Sequence, residues 1–269
     1  MGGVPRGNDP GVGGGGGDGV AAQVYIGRVF SPFGEKFGVP RQALPAGVAG
    51  GVELVAPWGR VECLRGLEEF SHFWIISLAH LILPADTKRT TNRPPRLGGG
   101  ARTGVWGCRS LFRPNRIGLS LVRLSRIEPI GSEAARIHCL GIDLVDGTPV
   151  LDIKPYLPYA DCVPGAVPGY AASPPAAVLM PQWSDEALRS LEDFELDRDE
   201  FRRLVDTVLS HDPRPAGSRQ EPGRRHGILL HGVNVHFHIE GDRAIVSGLS
   251  GRSGPLSGTS DTKGGSAGT

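Results

Sequence analysis

Between residues 24 and 153 glycine and proline cut the chain into short runs rich in β-branched and aromatic side chains. These are VYIGRVF (24–30), GVELVAP (51–57), FWIISLAHLIL (73–83), TGVWGC (103–108), GLSLVRLSRIEPI (118–130) and ARIHCLGIDLVDGTPVLDI (135–153). Runs of this kind form strands, and a Gly or Pro at the end of each stops it. Six or more short strands with few helical patterns between them need a way to satisfy their edges, and closure into a barrel is the one that removes edges altogether. The expected fold is mainly β: a β-barrel, closed or nearly so.

The rest of the chain divides around that body. The sequence has 269 residues, with 41 glycines, many of them at its ends, and 23 prolines. Residues 1–21 are mostly Gly and residues 250–269 are Gly, Ser and Thr, with little to bury, so both are expected as disordered tails. The barrel is assigned to 22–168. The stretch KPYLPYADCVPGAVPGYAASPPAA (154–177) is proline-rich and reads as an extended crossing. Residues 169–249 form a small α+β C-terminal domain. Leu188, Leu191 and Phe194 make a helical stripe, Phe201, Leu204, Val205 and Val208 a second, and Glu240-Gly241-Asp242 a hairpin turn.

A net charge of +1 hides two opposed segments. Between Asp86 and Glu128 stand ten Lys or Arg residues and no acid, whereas Ser184 to Asp206 holds nine acids and four arginines. The densest basic stretch, CRSLFRPNRIGLSLVRLSRI (108–127), carries Arg109, Arg113, Arg116, Arg123 and Arg126. Any one of them is explained by solubility on an exposed edge. Together, without counter-charges, they point to an anion, because guanidinium forks match carboxylate and phosphate. The four cysteines, Cys63, Cys108, Cys139 and Cys162, form no C-x-x-C pair, which suggests reduced thiols and a cytoplasmic location. No apolar run has the length of a bilayer span, so no membrane association is expected.

Two further loops are dense in candidate contacts. SPFGEKFGVPRQ (31–42) follows a strand, where binding loops commonly sit. GIDLVDGTPV (141–150) places Asp143 and Asp146 beside a Gly turn, suited to a ribose diol or a metal, although Asp-Gly is also an ordinary turn signal. His231, His236 and His238 fall on a strand-like run without the cysteines of a zinc site, so no metal is expected. The glycine-rich start lacks the G-K-[ST] of a phosphate loop, and no G-x-S-x-G elbow marks a hydrolase.

Read in order, IGRVFSPFGEKFGVPRQ, LRGLEEFSHFWI, RPPRLGG, GVWGCRSLFRPNRIGLSLV, IDLVDGTPVLDIKPYLPYAD and HDPRPAG resemble the TsaA/TrmO family, from Tyr25 to Asp161 and on into 211–217. The family consists of S-adenosylmethionine-dependent tRNA adenosine N6-methyltransferases. The resemblance implies a single-sheet β-barrel, TsaA-like, that forms a homodimer. It implies S-adenosyl-L-methionine as cofactor and methylation of N6 of threonylcarbamoyl-adenosine, next to the anticodon of threonine tRNA. Carried over by motif, the cofactor-binding set is Pro40, Arg41, Gln42, His80, Arg109, Leu119, Asp143, Val145, Asp146, Gly147 and Thr148. The tRNA-binding set is Arg96, Arg113, Arg116, Asp212 and Arg214, with Arg93, Arg102 and Arg123 as further phosphate candidates. No catalytic base is assigned. Three positions depart from the family text: Leu81 after the His, Arg116 where the family has a second Pro, and Gly217 where it has Tyr. Two alternatives stand beside this reading: a non-enzymatic RNA-binding barrel, and a methyltransferase acting on another RNA or a small molecule.

Overall fold

The computed structural model describes residues 23–42, 47–94, 97, 100–173, 177–214 and 223–251. Six strands close into an antiparallel barrel: β1 (Gly27–Phe30), β2 (Ala49–Leu54), β3 (His72–Leu78), β6 (Ile117–Ile130), β7 (Ala134–Leu140) and β8 (Pro149–Pro155), in the order β1-β2-β7-β6-β3-β8. Two short strands, β4 (Thr91–Asn92) and β5 (Thr103–Gly104), pair outside the barrel as a small arm. The interior is filled by one face of each strand: Val29, Val52, Phe73, Ile75, Val122, Ile137 and Val150 are all at most 2% exposed. That alternation is why the segments settle as strands. A half-buried pleat hides every second side chain, and a one-residue slip would turn the whole set into water.

The expected segments map onto this barrel with three exceptions. FWIISLAHLIL breaks after Leu78, where the Ala79 N–H donates to the Arg116 carbonyl at 2.9 Å and Ile82 folds back on Ala79 in a turn. TGVWGC holds only two strand residues, followed by a single 3-10 turn at Val105–Gly107. The longest run, 135–153, is two strands separated at Gly141, whose φ of 91° takes the chain out of the sheet.

Beyond the exposed crossing, a four-stranded sheet forms in the order β10-β11-β12-β9, from β9 (Met180–Trp183), β10 (His226–Leu230), β11 (Val233–Glu240) and β12 (Arg243–Gly251). Two helices cover it, α1 (Asp185–Leu191) and α2 (Arg198–Ser210). Ser184 caps α1 through the Ala187 N–H at 3.1 Å, and Asp197 caps α2 through the Glu200 N–H at 2.9 Å. The buried stripe of α2, Phe201, Val205, Val208 and Leu209, packs on Val235, Phe237 and Val246 within the core. The tail residues 1–21 and 252–269 lie outside the described residues.

The C-terminal sheet also braces the barrel's 31–42 loop. Phe33 is wholly buried and forms a bridge with Leu230, and the His231 N–H donates to the Pro32 carbonyl at 2.8 Å. Gly38, at φ 91°, lies so close that a Cβ there would be 2.7 Å from Ile228 Cγ2.

Candidate cofactor and RNA site

A cleft of about 1850 Å³ opens between the 31–42 loop, the starts of β6 and the 143–148 turn, the ends of β3, and the crossing at Tyr170–Ser173. Of the eleven residues expected at the cofactor, nine line it: Pro40, Arg41, Gln42, His80, Arg109, Leu119, Asp143, Val145 and Thr148. They arrive from four separate segments, and specific contacts hold them in register.

Arg109 is the joint. Its Nη1 donates to Gln42 Oε1 at 3.2 Å and its Nη2 to the Leu119 carbonyl at 3.3 Å, so the 31–42 loop and β6 share one guanidinium. Leu119 points away from the barrel interior and is 49% exposed, an aliphatic wall beside the charge. Asp143 accepts from the Ser120 hydroxyl at 2.5 Å. Thr148 is buried and its hydroxyl donates to the Val145 carbonyl at 2.6 Å, which closes the 143–148 turn on itself.

Asp146 and Gly147 do not line the cleft. The Asp146 carboxylate accepts from the Ser31 N–H at 3.0 Å, its own N–H donates to the Phe33 carbonyl, and the Gly147 N–H donates to the Val29 carbonyl. Asp146 ties the turn to the 31–42 loop and Gly147 ties it to β1, so their contribution to the cleft passes through backbone position. A pairwise contact of this kind, 115 residues apart, leaves no trace in local sequence.

His80 stands exposed on the cleft rim. Partial desolvation, then the charges of Arg28 and Lys36, lower the pKa of its imidazole below the ordinary value. It is therefore neutral at physiological pH. Lys36 is held nearby by the Leu81 carbonyl at 2.5 Å. Leu81, one of the three departures, presents a 42% exposed aliphatic side chain to the same cleft.

The five expected RNA contacts divide differently. Arg96 lies outside the described residues. Arg113 lines the cleft, but its Nη2 donates to the carbonyls of Val105 at 3.0 Å and Cys108 at 2.9 Å, so this guanidinium braces the arm from within. Arg116 donates to the Ile82 carbonyl at 3.3 Å and sits at φ 53°, a conformation that proline, locked near −65°, cannot adopt. The turn here thus differs from one built on a second Pro. Asp212 and Arg214 are both buried and bind each other, Nε to Oδ1 at 2.8 Å and Nη2 to Oδ2 at 3.1 Å. Buried at 6–8% side-chain exposure, they form an internal clasp and spend their charge on each other. What the clasp presents to the cleft is Pro213, between them. Of the further candidates, Arg93 and Arg102 line the cleft, and Arg123 does not. Arg126 is neutralised by Glu128, at 3.2 Å.

Several cleft residues carried no signal in the sequence. Ser77 is 1% exposed, lines the cleft, and its hydroxyl has no hydrogen-bond partner among the described residues. Gly118 faces it across β3 and β6, and a Cβ there would sit 2.5 Å from the Ser77 oxygen. Lys36, Trp74, Arg89 and Leu121 complete the wall. Cys139, near Asp143 but buried, has its thiol pushed up to about 12, chiefly by burial, which removes it as a nucleophile. His236 and His238 are occupied by Ser250 at 2.7 Å and Glu240 at 3.1 Å, far along the second sheet.

A closed antiparallel barrel whose rim loops converge on a large cleft, with a guanidinium fork, a carboxylate, an aliphatic wall and a neutral imidazole, defines a binding barrel for a ligand that is part anionic and part apolar. Its sequence matches the profile of the tRNA-methyltransferase O N-terminal domain over residues 28–162 and that of the TrmO C-terminal domain over 176–252. The chain belongs to this family. It is 47% identical over 215 residues to a putative S-adenosylmethionine-dependent methyltransferase of Pseudomonas aeruginosa, covering 79% of this chain and 90% of that protein. It is 43% identical over 217 residues to the tRNA (adenine(37)-N6)-methyltransferase of Escherichia coli, covering 80% and 91%. The crystal structure of TrmO from P. aeruginosa superposes with a TM-score of 0.69 at 38% identity, covering 86% of this chain and 99% of that one.

Proposed function

We infer that this protein is an S-adenosylmethionine-dependent tRNA methyltransferase acting on N6 of the adenine at position 37, with threonylcarbamoyl-adenosine as the form methylated. Family membership, and relatives of nearly equal length named for this activity, support the reaction class. The observation within this chain that carries it is the convergence of nine motif residues on one cleft, locked by Arg109.

The donor set fits the cofactor. Arg109 and Arg41 provide positive charge for a carboxylate, and Asp143 and Thr148 provide oxygens within reach of hydroxyl groups. Leu119 and Leu121 supply apolar surface for a ring, and Ser77, whose buried hydroxyl has no partner among the described residues, belongs to the same wall. When bound, S-adenosylmethionine supplies an electrophilic methyl group on a positively charged sulfur. Displacement at that carbon spreads and then removes charge, so the protein's main task is alignment of donor and acceptor.

The chain's own groups act accordingly. The Gln42–Arg109–Leu119 tie fixes the distance between the 31–42 loop and β6. The neutral His80 adds no positive charge beside a cationic donor, and its free imidazole nitrogen can accept a proton. The carboxylate of a threonylcarbamoyl group would meet the basic wall of Arg89, Arg93 and Arg102. The anticodon loop is single-stranded, so its target base reaches a cleft without disrupting a duplex.

A homodimer and a cytoplasmic location accompany this reading as proposals. The domain division at 22–168 and 169–249 is likewise proposed, with the C-terminal unit bracing the 31–42 loop. The direct experiment is isothermal titration of S-adenosylmethionine into the protein. Saturable binding to wild type that is lost in Arg109→Ala supports the site, and equal binding by both removes Arg109 from it.

A further inference from the structure

Trp106 is 77% exposed, on the 3-10 turn Val105–Gly107 that follows β5. A large aromatic ring left in water at the tip of an arm offers an open face, and Trp is a residue enriched where proteins meet partners. The residues around it are pinned. Val105 is 6% exposed, and its N–H donates to the Thr90 carbonyl at 2.9 Å. Cys108 is buried, and Arg113 ties the carbonyls of Val105 and Cys108 together across the indole's own residue. The Arg113 guanidinium carbon lies 5.8 Å from the indole centroid, so a cation stands over the ring.

Beside the indole is a second, small hollow of about 330 Å³, lined among others by Thr87, Lys88, Arg89, Gly104, Trp106 and Pro114. Lys88 forms no ion pair among the described residues. Arg89 is paired with Asp86 and its guanidinium carbon lies 4.5 Å from the Phe112 centroid. Lys88 and Arg89 also line the large cleft, so the hollow and the cleft are contiguous along one basic wall.

We propose that Trp106 is a stacking platform for an unpaired RNA base flanking the methylated nucleotide, with Lys88 meeting the adjacent phosphate. This rests on the tRNA reading above and adds the subsite that holds a neighbouring nucleotide. Stacking on an aromatic face is the sequence-tolerant way proteins hold single-stranded bases. Charge selects the occupant. Lys88, Arg89, Arg93 and Arg102 gather on this wall, where a second copy of the chain would bring like charge and a nucleic acid brings the opposite.

The test measures tRNA binding at several salt concentrations for wild type, Trp106→Ala, Trp106→Phe and Lys88→Ala. S-adenosylmethionine affinity and size-exclusion elution are recorded for each. Trp106→Ala is expected to weaken tRNA binding about five- to 150-fold, with an unchanged salt slope and unchanged cofactor affinity. Trp106→Phe should recover most of the loss. Lys88→Ala should instead reduce the magnitude of the salt slope by about 0.7–0.9. Wild-type tRNA affinity in Trp106→Ala overturns the platform while leaving the methyltransferase reading intact. A loss accompanied by a changed oligomeric state assigns the ring to a contact between copies and also overturns it. Wild type that binds no tRNA defeats both.

Discussion

The guanidinium of Arg109 joins Gln42, 67 residues away in sequence, at 3.2 Å, and with its other nitrogen holds the carbonyl of Leu119. One planar side chain thereby sets the width of the cleft between the 31–42 loop and β6. A lysine has a single point of charge and cannot span both acceptors. Arg109→Lys is expected to keep the fold but lose about 10- to 100-fold in S-adenosylmethionine affinity, on the order of the ~1.5–3 kcal/mol of hydrogen bonds to a charged group. Titration calorimetry beside thermal melting separates the two effects. A wild-type affinity in Arg109→Lys would show that the fork is not needed.

The Asp212–Arg214 pair is buried on both sides. Removing one partner strands a charge, which costs about 3–5 kcal/mol, whereas removing a surface arginine costs little. Asp212→Ala should therefore lower the denaturant midpoint substantially, and Arg214→Ala should not change the salt slope of tRNA binding in whatever fraction remains folded. A smaller salt slope at full stability would return Arg214 to the RNA.

His80 binds protons less readily than a free imidazole, because of desolvation first and of Arg28 and Lys36 second. Its charge thus appears only below the ordinary histidine range, near pH 6.5. Protonation there would place a third cation beside a cationic cofactor. S-adenosylmethionine affinity should be flat above neutrality and fall as pH drops through that lower range. His80→Gln should flatten the acid limb, and an acid limb identical in His80→Gln and wild type would assign the pH dependence to another group. The sign for stability is the same. A histidine that prefers to stay neutral in the fold loses stability as pH falls below the unfolded value, since the unfolded chain takes up the proton first.

Gly38 combines a left-handed φ of 91° with contact so close that a Cβ would meet Ile228 Cγ2 at 2.7 Å. Gly38→Ala should cost about 1–3 kcal/mol through backbone strain and overpacking. Because the same loop carries Pro40, Arg41 and Gln42, the variant should also bind the cofactor more weakly. Intact cofactor affinity in a destabilised Gly38→Ala protein would show that the C-terminal sheet does not position this loop.

The strands were legible because glycine and proline mark their ends and because half-buried strands repeat every two residues. The run 118–130 falls within one residue of β6, whereas 135–153, a single run in sequence, is broken at Gly141. What escaped was decided by contacts between distant residues. Nothing in FWIISLAHLIL says that the strand stops at Leu78, after which the chain turns and the Ile82 N–H donates to the Ala79 carbonyl. Arg113, Asp146 and Arg214 stand in the motifs expected to meet ligands, yet each spends charge inside the fold, on two carbonyls, a backbone N–H and an aspartate. Ser77 was invisible because a buried serine on a strand looks like any core-facing small residue until its hydroxyl is seen without a partner. The cleft residues Pro40, Gln42, His80 and Arg109 came from family resemblance, which carries the long-range pairing that composition lacks.

The most direct test incubates the purified protein with methyl-labelled S-adenosylmethionine and tRNA carrying threonylcarbamoyl-adenosine, followed by digestion and mass spectrometry of the nucleosides. The expected result is one labelled methyl group on N6 of the threonylcarbamoyl-adenosine, absent with Arg109→Ala. Cofactor binding without any labelled nucleoside, or label on a different base, would contradict it.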